Sequence, residues 1–393
     1  MKIMSVNAGS SSLKFQLFKM PEEKVIASGN VERIGNRNAS YTLKFNDHKK
    51  ELDNITVLDH SVAARLVIDS LLENKVINSL KEINGVGHRV VQGGEIFKDS
   101  VVIDDEVVFK IASLNDLAPL HNPAHIMGIN SFRKALPDVI QVAVFDTTFH
   151  QTMPEVNFLY AAPYDWYLKH GVRKYGFHGT SHQYVSGIAH EKLNKKDTKI
   201  IVAHIGNGAS ITAVRDGKSI DTSMGLTPLE GIPMGTRSGN IDPSVIQLMQ
   251  QKEGYSLEKT LNELNKNSGY LGVSGISHDS RDVLKAASEG NLKAQLALNI
   301  QAKRIVDYIA SYYVLLEGLD VLVFTAGIGE NASEVRKLIC DRLKVIGIEL
   351  DDELNNKRGI MEISTKDSKV KVWVIPTDEE VVLAREVLRF KKD

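Results

Sequence analysis

Ile3-Met4-Ser5-Val6-Asn7-Ala8-Gly9-Ser10-Ser11-Ser12-Leu13-Lys14 is an apolar strand, a polar Gly/Ser turn, and the start of an alternating strand that runs to Phe18. The plan returns at Ile200-Ile201-Val202-Ala203-His204-Ile205-Gly206-Asn207-Gly208, followed by Ile211–Val214. A shift of 197 residues lays Asn7 on His204 and Gly9 on Gly206. Two unrelated hairpins would look similar, because Asn207-Gly208 is itself a strong hairpin turn. A third glycine turn, Gly327-Ile328-Gly329-Glu330-Asn331, follows the buried-strand run Val321–Thr325 and precedes a helical pattern. Three such turns in one chain favour a protein that cradles phosphate. Backbone N–H groups in tight turns and at helix N-termini converge on anionic oxygens.

Working outward, short apolar runs alternate with helical patterns along the whole chain, which reads as α/β. Strands are expected at Ile3–Val6, Leu13–Phe18, Tyr41–Phe45, Val139–Phe145, Ile200–His204, Ile211–Val214, Val321–Thr325 and Val370–Ile375. Helices are expected at Ser61–Leu80, Ser181–Leu193, Pro243–Gln251, Leu257–Asn265, Arg281–Ser288, Leu292–Leu316, Ala332–Leu343 and Asp378–Phe390. In the long helix, Leu296, Ile300, Ile305, Ile309 and Val314 fall near one stripe. At 393 residues the chain suits two domains, and no Pro/Gly/Ser linker separates them.

Composition narrows the function. Against 49 acidic residues stand 48 Lys and Arg, a net charge of −1. That argues against a protein whose task is to coat nucleic acid or an anionic membrane. The single cysteine, Cys340, excludes a disulfide framework and a Cys-based zinc site and suits a reducing, cytoplasmic setting. The N-terminus turns polar at Asn7, too early for a signal peptide, and no apolar run is long enough to cross a membrane.

Several residues stand where chemistry could use them. Lys14 alternates with Leu13, Phe15 and Leu17 and so faces away from the core. Arg89 closes an apolar run beside Gly93-Gly94, and Arg237 sits in Met234-Gly235-Thr236-Arg237-Ser238-Gly239. A guanidinium in such a loop suits a two-pronged grip on carboxylate or phosphate, or an ordinary salt bridge. His121/His125 and His178/His182 have i,i+4 spacing, but Pro123 interrupts the first pair and neither carries the Glu of a zinc helix. Asp146 follows Val139–Phe145, at the carboxyl end of a strand, where α/β proteins keep their ligands. Asn331 with Glu334, and Thr377 with Glu380, read as capping boxes, the second leaving Glu379 free.

These residues, taken together, resemble the acetate kinase (acetokinase) family. Asn7–Lys14 matches its first signature and Val202–Ser210 its second. Further matching blocks are His88–Gly94, Pro119–Pro123, Phe145–Pro154, Gly176–His182, Met234–Pro243 and Gly327–Asn331, in order from residue 3 to about 385. The resemblance implies an actin-like (ribonuclease H-like) duplicated two-domain fold with a central cleft. Its domains would be an acceptor-side one, 1–148 plus 380–393, and a nucleotide-binding one, 149–379. It implies reversible in-line transfer of the ATP γ-phosphoryl group to acetate, giving acetyl phosphate and ADP, with Mg²⁺, or Mn²⁺ in its place.

Residue by residue, the resemblance makes Asn7 and Glu379 the metal-associated pair and Lys14 an ATP contact. The other nucleotide contacts would be His204, Ile205, Gly206, Asn207, Gly208, Asp279, Ser280, Arg281, Gly327, Ile328, Gly329, Glu330 and Asn331. Arg89 would bind acetate, with Val91, Leu120, Phe177 and Pro228 as the methyl pocket. Asp146, His178 and Arg237 would be catalytic. A cytoplasmic homodimer is also implied. Asp378 stands where many relatives have Asn, which leaves the choice among Asp378, Glu379 and Glu380 open, and His278 stands where Ser is frequent. Propionate and butyrate kinases, sugar kinases and a non-enzymatic actin-like protein are the alternatives. An acetate-like carboxylate is already ionised and needs no base, so Asp146 is expected to orient an arginine or a metal-bound water and not to carry a proton.

Overall fold

The computed structural model describes residues 1–392; Asp393, the last residue of the expected 380–393 segment, lies outside them. The chain forms two compact units, residues 1–148 with the terminal segment from Asp378, and Phe149–Thr377.

The first unit is built on eight strands: β1 (Lys2–Ala8), β2 (Ser12–Lys19), β3 (Lys24–Glu32), β4 (Asn36–Phe45), β5 (His48–Val57), β6 (Ile83–Val90), β7 (Val101–Val102) and β8 (Ile140–Phe145). They lie in the order β5-β4-β3-β2-β1-β6-β8-β7. The second unit has five: β9 (Lys199–Ile205), β10 (Ala209–Arg215), β11 (Lys218–Thr222), β12 (Val321–Thr325) and β13 (Lys371–Val374), ordered β11-β10-β9-β12-β13. The two sheets share a plan. β1 pairs antiparallel with β2 and parallel with β6, which pairs parallel with β8. β9 likewise pairs antiparallel with β10 and parallel with β12, which pairs parallel with β13. The echo in the sequence is thus an echo in topology, and the duplicated α/β plan is present.

Each sheet is buried by helices. Phe15, Leu17, Val31 and Leu43 pack with Ala64, Val67 and Leu71 of the helix His60–Glu73. In the second unit Ile200, Val202 and Val323 pack with Val185 and Ala189 of the helix Gly179–Leu193. The terminal helix Glu379–Lys392 lays Val381, Ala384 and Val387 on the first sheet. Its approach is close: a Cβ on Gly85 would meet Val387 at 2.2 Å, and one on Gly87 the Leu383 carbonyl at 2.7 Å.

Some local expectations are corrected. The helix expected over 61–80 ends at Glu73, where the Asn74 amide donates to Ser70 O and Lys75 turns left-handed (φ 54°). Pro123 interrupts nothing; it lies in the first turn of the helix Asn122–Ala135, where a missing N–H costs no bond. The long helix Leu292–Leu315 buries Ala294, Leu298, Gln301, Ala302, Ile305, Ile309 and Tyr312, and Leu296 and Val314 face solvent. Small Ala and amidic Gln hide the true face.

Both expected capping boxes fail. Asn331 ends a short helix, Ala326–Asn331, and donates back to Gly327 O; the next helix starts at Ser333. Asp378, not Thr377, caps the terminal helix, accepting from Val381 N at 2.9 Å. Thr377 instead donates its hydroxyl to Ser181 and its N–H to Glu330 Oε1.

Candidate active site

In the first unit the strand ends carry the chemistry. Asn7, half-buried near the end of β1, faces Lys14 across the hairpin, and Lys14 is exposed. Gly9 N donates to Ser12 O at 2.8 Å, and His60 Nε2 fastens the turn at Gly9 O, 2.7 Å away. Arg89 is the penultimate residue of β6, and Asp146 follows β8 with its N–H on Val90 O. Adjacent parallel strands thus deliver an arginine and an acid to one edge. Arg89 Nε and Nη2 donate to Asp146 Oδ1 and Oδ2 at 2.9 and 2.7 Å. Glu379 Oε2, from the first turn of the terminal helix, is 4.0 Å from Arg89 Nε.

Asp146 is 1% exposed and the Arg89 side chain 23%. Burial opposes the charge on Arg89, and the Asp146 and Glu379 carboxylates overcome it, holding the guanidinium above its ordinary value. Burial pushes the Asp146 carboxyl up, with Arg89 pulling the other way. Burial also raises Glu380. Val91 is buried and Leu120 is 70% exposed, both in this unit.

In the second unit, His178 starts the helix Gly179–Leu193 with φ 56°, a left-handed conformation uncommon outside glycine and typical of functional sites. Its ring stacks on that of His204 with centroids 4.1 Å apart. The turn between β9 and β10 brings Gly208 beneath it. A Cβ on Gly208 would lie 3.4 Å from His178 Nε2 and 3.5 Å from Arg237 Nη1. Two donors therefore converge on the space that glycine leaves open. Arg237 is held by Pro228 O at 3.3 Å and the Met234 thioether at 3.4 Å. Burial lowers its pKa, and among the described residues no carboxylate pairs with it. Phe177 is buried beside His178 and Pro228 is half-buried.

Gly206, Asn207, Asp279, Ser280, Arg281, Gly327, Ile328 and Asn331 line one cavity of about 770 Å³ in this unit, with His278, Leu284, Glu334 and Arg358. Gly235 lies against it, where a Cβ would meet Asn207 Oδ1 at 2.2 Å. His204, Ile205, Gly208, Gly329 and Glu330 do not line it. Ile205 is in the core and Gly329 packs on Ala203 and Phe324. Arg336, buried, gives Nη1 to the carbonyls of Gly329 and Glu330 and so holds the glycine turn in place.

Among the described residues no three His, Cys, Asp or Glu side chains gather as a ready metal cage. Magnesium needs none: it is commonly held by one or two protein groups, with phosphates and waters supplying the rest. The Asn7 amide and the Glu379 carboxylate, both half-buried oxygen donors, suit that hard cation.

Sequence reasoning missed the roles of Ser181, Ser210 and Arg336, which depend on distances across elements, and read Thr377 only as a helix cap. It did single out His182, as half of a zinc-like pair. The structure instead puts His182 Nε2 on Ser210 Oγ at 2.7 Å, with His178 Nδ1 on the same oxygen at 2.9 Å.

The acetokinase family model matches residues 2–385. An acetate kinase of Acholeplasma laidlawii (strain PG-8A) is 77% identical over 391 residues, with the whole of both chains covered. The crystal structure of Porphyromonas gingivalis acetate kinase has a TM-score of 0.95 at 45% identity over 99% of each chain. That of a propionate kinase from Francisella tularensis subsp. tularensis SCHU S4 has 0.92, also at 45%, over 98% of each. Matched along its length in sequence and in fold, this chain belongs to the acetokinase family.

Proposed function

We propose that this enzyme transfers the γ-phosphoryl group of ATP reversibly to acetate, giving acetyl phosphate and ADP. One observation carries the reading: His178 Nε2 and Arg237 Nη1 flank the same point above Gly208. Two fixed donors around an open turn suit a phosphoryl group whose oxygens gain charge in transfer. The first unit is the acceptor side and the second the nucleotide side, with ADP or ATP in the 770 Å³ cavity.

Acetate is an anion at neutral pH, so the barrier is the approach of two anions. Arg89 receives the acetate carboxylate on the Nη1 edge that Asp146 leaves to it. Asp146 aims the guanidinium and transfers no proton. Lys14 and the glycine turns meet the phosphates. Asn7 and Glu379 would hold Mg²⁺ or Mn²⁺, which when bound draws charge from the phosphate oxygens. His178 and Arg237 stabilise the group in flight.

The homodimer and the cytoplasmic setting belong to the same reading; among the described residues no helix is long and apolar enough to cross a membrane. The deciding assay is ATP-dependent formation of a hydroxylamine-trappable acyl phosphate, compared across acetate, propionate, butyrate and glucose. Acetate should be turned over best. A preference for propionate or butyrate would reassign the acceptor, and glucose phosphorylation without acyl phosphate would discard the reading.

A further inference from the structure

Two serine hydroxyls stand behind the stacked rings of His178 and His204. Ser210 Oγ, fully buried on β10, contacts His178 Nδ1 at 2.9 Å and His182 Nε2 at 2.7 Å. Ser181 Oγ contacts His204 Nδ1 at 2.7 Å and accepts from Thr377 Oγ1 at 2.8 Å. A hydroxyl has one hydrogen to give. Accepting from both rings would leave that buried hydrogen without a partner, since among the described residues Ser210 Oγ bonds only these two, so it donates to one ring nitrogen and accepts from the other.

The far nitrogen of His182 decides which. His182 Nδ1 is buried without a hydrogen-bond partner. A buried N–H left unpaired is rarer than a bare acceptor and costs its full desolvation. The His182 proton therefore sits on Nε2, and Ser210 accepts it. Ser210 then donates to His178 Nδ1, which leaves the His178 proton on Nε2. A doubly protonated His178 would leave either the Ser210 hydrogen or a His182 N–H buried without a partner, so the neutral ring is the one that fits. Burial first, then the His150 and His204 rings, also push His182 well below its ordinary value, which keeps it to a single proton. The second chain runs the same way: Thr377 donates to Ser181, Ser181 to His204 Nδ1, and the His204 proton falls on Nε2.

We propose that Ser210 and His182 are positioning residues that lock His178 as its Nε2–H tautomer, so that a neutral donor stands aimed at the Gly208 turn before any substrate arrives. A donor set in advance needs no reorganisation when charge develops. What that donor serves rests on the proposed function; the tautomer does not.

The tautomer can be read directly. Nitrogen NMR of the ligand-free protein carrying ¹⁵N-labelled histidine, with the His178→Gln spectrum to identify the signal, should show His178 protonated at Nε2 and bare at Nδ1 near neutral pH. A proton on Nδ1 would overturn the proposal, and this measurement holds even where a variant fails to fold. In kinetics, Ser210→Ala should return His178 to a tautomer mixture and lower kcat roughly ten- to a hundredfold, with the KM values for acetate and ATP little moved. His182→Gln restores an amide N–H facing Ser210 and should keep most of kcat, whereas His182→Leu should lose as much as Ser210→Ala. Equal losses for Gln and Leu at unchanged melting temperature would sink the relay. An Nε2–H His178 in a protein that phosphorylates none of the acids tested would uphold the relay and reject the functional reading.

Discussion

Arg89 meets Asp146 through two parallel hydrogen bonds, Nε to Oδ1 and Nη2 to Oδ2, and the acid they grip is almost wholly out of water. The pair is an aiming device: the carboxylate fixes the plane of the guanidinium, and the guanidinium keeps the carboxylate from standing alone.

Breaking the pair from one side should cost more than removing it. Arg89→Ala leaves a buried carboxylate without its partner and should cost about 3–5 kcal/mol of stability, with a large rise in acetate KM. Arg89→Met with Asp146→Leu should regain much of that stability and none of the activity. Urea unfolding of the three proteins checks the first claim and acyl phosphate formation the second. Asp146→Asn should lower the rate yet leave the shape of the pH–rate profile unchanged; a titrating limb that disappears with Asp146 would make it a proton carrier.

Gly208→Ala separates folding from function. The added methyl would make only ordinary contacts, at 3.4 and 3.5 Å, and the site does not require a positive φ. Stability should hold or rise by up to ~1 kcal/mol. The methyl occupies the space between the His178 and Arg237 donors, so kcat should fall steeply. Gly235→Ala should do the opposite first, disturbing its loop, because its Cβ would strike the His278 carbonyl at 2.9 Å as well as Asn207 Oδ1 at 2.2 Å. A fully active Gly208→Ala enzyme would move the phosphoryl site elsewhere.

Arg237 should behave as a transition-state residue. It is a half-buried cation held by a carbonyl and a thioether, so nothing but a passing anion matches its charge. Arg237→Ala should depress kcat and kcat/KM together and leave acetate KM little changed. Arg237→Lys should recover part of the rate, having charge without the planar fork, and added guanidinium should partly rescue the alanine variant. Unchanged kcat with a large acetate KM would make it a substrate clamp.

Acid should weaken the fold in part through two buried histidines. Burial holds His88 and His150 down at about 4, against the hydrogen bonds they make to Gln141 and to Phe177 O. Unfolded, each takes its proton near 6.5, so between pH 6.5 and 4 the unfolded chain binds more protons and stability rises with pH. Their contribution is complete above 6.5 and is lost towards 4, on the order of 3 kcal/mol for each. Denaturation midpoints between pH 7.5 and 4.5 should show the slope, and His88→Gln should remove about one proton's share of it. An identical slope in that variant would reject the assignment.

The two hairpins were legible because Gly/Ser turns between apolar strands have few other readings. Asp146 was legible because it directly follows the apolar run Val142–Phe145. β6 was not, since Gly85 and Gly87 break its pattern, and those glycines make room for Val387 and Leu383, about three hundred residues away. The helix Asn122–Ala135 was hidden by a proline that in fact begins it. The Ser210 link to His178 and His182 joins residues about thirty positions apart, and no spacing rule reports it.

The seating of the terminal helix on Gly85 and Gly87 also governs the order in which the molecule is made. A ribosome finishes residues 1–148 early, yet the helix that covers their sheet emerges only after all of Phe149–Thr377. The second unit, continuous in the chain, can close while the first still shows an uncovered apolar face. Nascent chains halted before Val387 should therefore draw chaperones to their oldest part, and Glu379 reaches Arg89 only with that late helix.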